Sequence, residues 1–152
     1  MDIVEKVLID PPPYHFRRWR APLRTLAAVG FILAGANHFR NPQFYRDIVP
    51  PQFGSAATLV KISGVCEIAG GASLLIPRLR RAAGWGLIAL LIAVFPANIY
   101  MAIAPERIPN MNFPRWALWL RLPFQALFIG WIWFVALSGR SVEKENPPGR
   151  KL

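Results

Sequence analysis

The sequence predicts an all-α integral membrane protein, a bundle of four transmembrane helices with both termini in the cytoplasm. Three observations predict it. The hydrophobic fraction is 54% and the charged fraction 17%, against roughly 45–50% and 25% in an average soluble domain. Mean hydropathy is positive, at +0.32, although the formal net charge is +10. The bases also fall in short clusters between long apolar runs, which is how membrane proteins carry charge. A nucleic-acid binder would instead spread them over one polar face, so nucleic acid is excluded as a partner. The 152 residues suffice for one domain. A single cysteine, Cys66, excludes an internal disulfide, a CxxC redox pair and a cysteine-built metal site.

The elements follow in order. Residues 1–22, with Pro11-Pro12-Pro13, read as a cytoplasmic N-terminal segment that has room for a short helix at its start. Leu23–Phe39 is the shortest span, at the lower limit for crossing, with Arg24 at its entrance and Asn41-Pro42 closing it. Ser55–Ile76 is the second, rich in small residues but carrying Lys61 and Glu67, and it stops at Pro77. Ala82–Ala104 is the clearest, 23 residues without a charge. As a helix it covers about 34 Å, enough for a hydrocarbon core of roughly 30 Å. The fourth runs from Trp116 to Ser138, interrupted only by Arg121. Residues 139–152 are polar and bear Pro and Gly, the composition of a disordered cytoplasmic tail. The predicted membrane domain is therefore 23–138.

Orientation comes from the bases. Lys6, Arg17, Arg18, Arg20, Arg24, Arg78, Arg80, Arg81, Arg140, Lys144, Arg150 and Lys151 fall on one side, whereas Arg40, Arg46, Arg107 and Arg115 fall on the other. The positive-inside bias makes the first side cytoplasmic. Trp19, Trp85 and Trp133 then sit near the inner interface, and Trp116 and Trp119 near the outer one. A rival reading takes Arg17-Arg18-Trp19-Arg20, the apolar stretch and Ala34-Gly35-Ala36 as a cleavable secretory signal. The uncleaved helix is preferred, because the charge asymmetry works only with four spans.

Charged groups inside a bilayer cost roughly 2.5–3.5 kcal/mol each even on the mild insertion scale, so each needs a partner or a purpose. His38 ends the first span on the outer side. Lys61, Asn98 and Arg121 lie roughly 8–9 Å below that interface by helical rise, Glu67 lies deeper, and Gln125 sits one turn after Arg121 on the same face. Together they form a polar layer that opens outward. Glu67 is flanked at helical spacing by Ser63, Gly64, Gly70 and Gly71, so it faces the bundle and not lipid. Two accounts fit it. In one, Glu67 and Arg121 form a buried ion pair that locks two helices together, with Asn98 and Gln125 completing the hydrogen bonds. In the other, Glu67 is a proton acceptor beside a ligand cavity. Lys61 can snorkel to the outer headgroups. His38 lacks companion ligands and reads as a hydrogen-bonded helix end, so no metal site is expected. Pro96 frees a backbone carbonyl one turn earlier, near Ile92, a feature of helices that line cavities.

Several segments carry a resemblance. Gly35-x-x-His38-Phe39-x-x-Pro42-x-x-Tyr45, followed by Ile48-Val49-Pro50, is one. Ser63-Gly64-x-x-Glu67-x-x-Gly70-Gly71-x-x-Leu74-Leu75-Ile76-Pro77 is the most specific. Ala83-Gly84-Trp85 leading to Phe95-Pro96-Ala97-Asn98, and Arg121 with Gln125 and Trp131, complete the set. Together they resemble the DoxX family of small four-helix membrane proteins. That resemblance implies a bacterial inner-membrane location and, through the thiosulfate:quinone oxidoreductase subunit that names the family, a site for quinone or a small sulfur anion. The chain has no cysteine pair, no cofactor ligand set and no extracytoplasmic domain. A redox role would need a bound quinone, a partner subunit, or both.

Two functions follow as expectations. In the first, the chain is a quinone- or small-anion-binding subunit of a membrane oxidoreductase. Glu67 would exchange a proton, Arg121 and Lys61 would stabilise an anion or a quinone oxygen, and His38, Asn98 and Gln125 would orient the ligand. In the second, it is a non-catalytic subunit whose polar layer only fixes helix packing and partner contacts. The bilayer, a redox partner subunit and a second copy of the chain are the expected partners. A transporter is the weaker alternative, because no inverted repeat is evident.

Overall fold

The computed structural model describes residues 14–109 and 111–138, with side chains from Arg18 onward. The expectations for Pro11-Pro12-Pro13, for a short helix before it and for the tail 139–152 lie outside the described residues. Within them the chain is helical, without a strand. Helix α1 is Tyr14–Arg40, α2 the short Pro42–Asp47, α3 Ala56–Leu75, α4 Arg80–Ile103 and α5 Arg115–Ile132. A π-helical turn, Trp133–Leu137, continues α5. Single 3-10 turns at Pro51–Phe53 and Pro105–Arg107 lead into α3 and away from α4.

The boundaries follow from local chemistry. Ser55 caps α3, its Oγ accepting from the Thr58 amide at 3.4 Å. Asn41-Pro42 breaks the chain between α1 and α2, with proline in the first turn where its missing N–H costs nothing. Prolines also open both 3-10 turns. α1 extends well upstream of the apolar stretch, because hydropathy reports where a bilayer would lie and arginine is a good helix former.

Three helices, Ala56–Leu75, Arg80–Ile103 and α5 with its continuation to Leu137, are long and apolar enough to cross a membrane. The four-span prediction thus holds for three by length and composition. α1, with arginines through its first half, does not reach that hydropathy on its own. The outer surface suits lipid. Leu33, Ile92, Leu127 and Trp116 are all more than half exposed, and a soluble monomer does not present apolar surface of that extent.

α1 and α3 make the closest packing in the molecule, antiparallel and backbone to backbone. A Cβ on Gly35 would lie 2.6 Å from the Gly64 carbonyl oxygen, and one on Gly71 would lie 2.8 Å from that of Ala28. Small residues permit this approach, the normal basis of helix association in lipid. α4 packs beside α3 and α5 beside α4, while α1 meets the far end of the chain through the π-helical turn. There Arg20 donates to the Phe134 carbonyl and the Ser138 hydroxyl, both at 2.8 Å.

Two apolar cores result. The larger is built on Ala28, Phe31, Leu74, Leu87, Ile132 and Val135, at the end where Arg20 and Arg80 lie. The smaller, of Ile48, Met101, Ala102, Ile108 and Leu118, lies under α2 and the loop before α5. The space between them is where the polar residues of the interior collect.

Candidate functional site

A cavity of about 580 Å³ separates the two cores, within the size range of small-molecule sites. Phe31 and Ala27 of the larger core line it from below, and Ile48 of the smaller core lines it from above beside Tyr45, Val49 and Pro50. Leu90, Leu91, Val94 and Ala97 of α4 form one wall and Phe128 and Trp131 of α5 another. Into this apolar chamber project His38, Glu67, Asn98 and Arg121.

His38 and Glu67 pair across α1 and α3. Nδ1 lies 3.3 Å from Glu67 Oε2, and the two side chains are 9% and 13% exposed. Their meeting follows from the glycines. Gly35 precedes His38 by one helical turn and Gly64 precedes Glu67 by one, and these glycines touch. The contact that lets the backbones close therefore sets the two side chains opposite each other, with the His38 Cβ 2.9 Å from where a Gly64 Cβ would sit.

His38 Nδ1 is also 3.0 Å from the Ala34 carbonyl oxygen. One ring nitrogen carries one hydrogen, so it cannot satisfy both acceptors fully. With the hydrogen directed at Ala34, Glu67 Oε2 is left buried without a donor. Tyr45 closes the other side of the imidazole, its ring stacked on His38 at 3.7 Å between centroids and 22° between planes. Tyr45 is held in turn. Its hydroxyl accepts from Asn37 Nδ2 at 2.9 Å, and Asn41 Nδ2 donates to Asn37 Oδ1 at 2.6 Å.

The opposite wall has a different polar pair. Asn98 Nδ2 donates to Gln125 Oε1 at 2.5 Å, and Gln125 Nε2 donates to the Leu91 carbonyl. Gln125 is buried. This joins α4 to α5 at the carbonyl next to Ile92, where Pro96 has removed a donor from the helix ladder.

The predicted residues thus fall into two groups. His38 and Glu67 come together, as do Asn98 and Gln125. Glu67 forms no ion pair with Arg121 among the described residues, and His38 holds the place that one of the two accounts gave to that arginine. Arg121 stands exposed at the edge of the cavity and also lines a smaller groove of about 410 Å³ between α4 and α5. Lys61 is exposed and lines neither space. Cys66 is exposed as well. Among the described residues no group of His, Cys, Asp or Glu could hold a metal ion.

Residues 26–136, more than two thirds of the chain, match the family described as Domain of unknown function (DUF8561). The chain belongs to that family. The match corrects the resemblance to DoxX, since the family found is a different one. A physical reason for the likeness is at hand. Gly-x-x-Glu-x-x-Gly-Gly is what a close antiparallel helix pair with one inward carboxylate needs, whatever its ancestry. No curated protein and no solved structure gives a significant match. In this member of DUF8561, sequence reasoning passed over Tyr45 and Trp131 as parts of the site. Trp131 is the instructive one. The other five tryptophans are more than half exposed, as interfacial anchors are. Trp131 alone lines the cavity, with its indole N–H buried and unpartnered.

Proposed function

We propose that this protein is a four-span membrane protein of the bacterial inner membrane whose interior cavity binds an apolar molecule with a compact hydrogen-bonding head. The pair of His38 and Glu67 would receive the head and exchange a proton with it. The observation that carries this reading is the pair itself, at the wall of a chamber closed above and below by apolar cores, with one carboxylate oxygen unsatisfied. An uncompensated buried polar atom in lipid costs several kcal/mol, and a ligand donor would relieve it. Trp131 offers the complementary case, a donor awaiting an acceptor. A quinone has the required form, an apolar tail and a ring with polar oxygens. A small inorganic anion suits the cavity less, because its lining is mainly apolar and includes a carboxylate.

The fourth span is supported by register. Ala28 lies against Gly71 and Gly35 against Gly64, equal steps along two antiparallel helices. α1 from Arg24 to Arg40 therefore lies at the depth of α3, and it would cross wherever α3 crosses. Four crossings with the positive-inside bias put both termini in the cytoplasm. A fluorescent protein fused after Leu152 is expected to fold and fluoresce in the cytoplasm; a dark fusion with export of the terminus would overturn that topology.

A second reading is favoured by Asn98 and Gln125, which satisfy each other and the Leu91 carbonyl. These two act in packing, as a non-catalytic subunit would use its whole polar layer. Mass spectrometry of small molecules retained in native lipid particles separates the readings. A stoichiometric molecule held by the wild type and lost from His38→Gln and Glu67→Gln is the expected result. Bulk phospholipid alone in all three would leave only the packing role.

A further inference from the structure

The cavity has a roof and a floor but an incomplete side. Ile48, Val49 and Pro50, at the outer end, cover it with apolar groups, and Ile48 and Pro50 are buried. The larger core closes the other end through Ala27 and Phe31. Between α1 and α5 the wall is thin. These helices come together through the π-helical turn near Arg20, and further out α1 leans on α3 while α5 leans on α4. Lining residues on both edges of that gap face outward, Leu26 and Gly30 on α1 and Arg121 and Phe128 on α5. Leu59 and Ile62 of α3 and Ala93 of α4 are exposed too, but α3 and α4 pack together along that side. Apart from Arg121, every exposed lining residue is apolar. A mouth that opened to water would be rimmed with polar groups.

We infer that the cavity is reached from the lipid phase, through a lateral portal between α1 and α5, and that its ligand is a membrane-resident amphiphile. The inference rests on the reading of this cavity as a ligand site and adds how the ligand arrives. The ligand slides in sideways with its head leading toward His38 and Glu67. Its tail stays in the gap beside Gly30 and Phe128, in contact with acyl chains. Arg121 stands at the outer rim of the portal, where its long stem lies along apolar surface and its guanidinium reaches toward the interface. There it favours heads that carry oxygen acceptors. Gly30 gives the portal its width. A Cβ there would meet nothing within 4 Å, so a side chain added at this position starts into open space.

The test uses the full chain in phospholipid bilayers, with Cys66→Ser and a nitroxide attached at Val94→Cys, whose side chain lines the cavity on α4. Collisions with dissolved oxygen report contact with the lipid phase, and collisions with a water-soluble nickel chelate report contact with water. High oxygen and low nickel accessibility are expected, with oxygen accessibility falling when Gly30→Phe is added. High nickel accessibility at Val94 would overturn the inference by revealing an aqueous mouth. Unchanged oxygen accessibility in Gly30→Phe would overturn it by placing the opening elsewhere. Should Gly30→Phe disturb the helical circular dichroism, Gly30→Leu replaces it, and the nickel measurement stands without either. A wet cavity that still retains a molecule dependent on His38 and Glu67 would refute the portal and leave the binding site intact.

Discussion

Where α1 meets α3 the helices touch backbone to backbone, and where α4 meets α5 in the middle of the bundle they are joined by side chains. The first wall gets its closeness from Gly35, Gly64 and Gly71 and leaves its polar pair incompletely bonded. The second gets its cohesion from Asn98 and Gln125, which bond each other and a backbone carbonyl. A satisfied network rigidifies a bundle, whereas an unsatisfied one is maintained only against a cost. Under the proposed function packing falls to one wall and chemistry to the other, and that division can be attacked from both sides.

The largest effect is expected at the glycine contact. Gly35→Ala puts a Cβ 2.6 Å from the Gly64 carbonyl oxygen, a backbone atom that cannot swing aside. Overpacking of that kind costs about 3 kcal/mol. Folded yield and thermal unfolding in lipid particles should both fall, and an unaffected protein would show that the two backbones do not touch. Next comes the second wall. Gln125→Leu strands the Asn98 amide inside the bundle, a loss of about 1–3 kcal/mol. The pair itself should show a coupling of about 1–2 kcal/mol in a double-mutant cycle with Asn98→Leu. Ligand retention should survive in the folded fraction of these variants. If it vanishes instead, Asn98 and Gln125 belong to the site and the division between the walls fails.

How far the sequence discloses this arrangement depends on which physical signal is read. Hydropathy is local, so the three long apolar helices are legible to within two residues at most ends, with Ser55 and the prolines marking the stops. The small face around Glu67 correctly announces an inward carboxylate. Counting residues from the interface puts Asn98 level with Arg121 and Gln125 one turn deeper, yet it is Gln125 that Asn98 bonds. Depth, however, does not say which helices are neighbours. It leaves Arg121 as eligible as His38 to face Glu67. The deciding signal was present as a repeated spacing, glycine one turn before His38 and glycine one turn before Glu67, which only matters once α1 and α3 are known to be adjacent. Tyr45 reaches the site because Asn41-Pro42 turns the chain back over it, a tertiary event without a hydropathy signature. The π-helical turn at the end of α5 likewise has no pattern in the residues that announces it.

The choice between the two accounts of Glu67 supplies a smaller test. With His38 and not Arg121 opposite the carboxylate, Glu67→Gln and Arg121→Gln should act independently, their effects on stability adding within about 0.5 kcal/mol. Glu67→Gln alone should leave the fold intact, because the amide keeps the size of the carboxyl and an acceptor oxygen. A coupling well above 1 kcal/mol between Glu67 and Arg121 would restore the ion pair that the geometry denies.

The smallest expected change is at Gly30, on the same helix as Gly35 and five residues away. Here a Cβ meets open space, so Gly30→Ala should be tolerated, and its better helix propensity is worth at most about 0.5–1 kcal/mol in favour of folding. The same substitution on the same helix should thus be destructive at Gly35 and neutral or helpful at Gly30, because one glycine faces a neighbouring backbone and the other faces the gap. Thermal unfolding of the two variants side by side is the measurement. Equal damage at both positions would mean that α1 is packed on the α5 side as tightly as on the α3 side, and the lateral opening would then be closed by the fold itself.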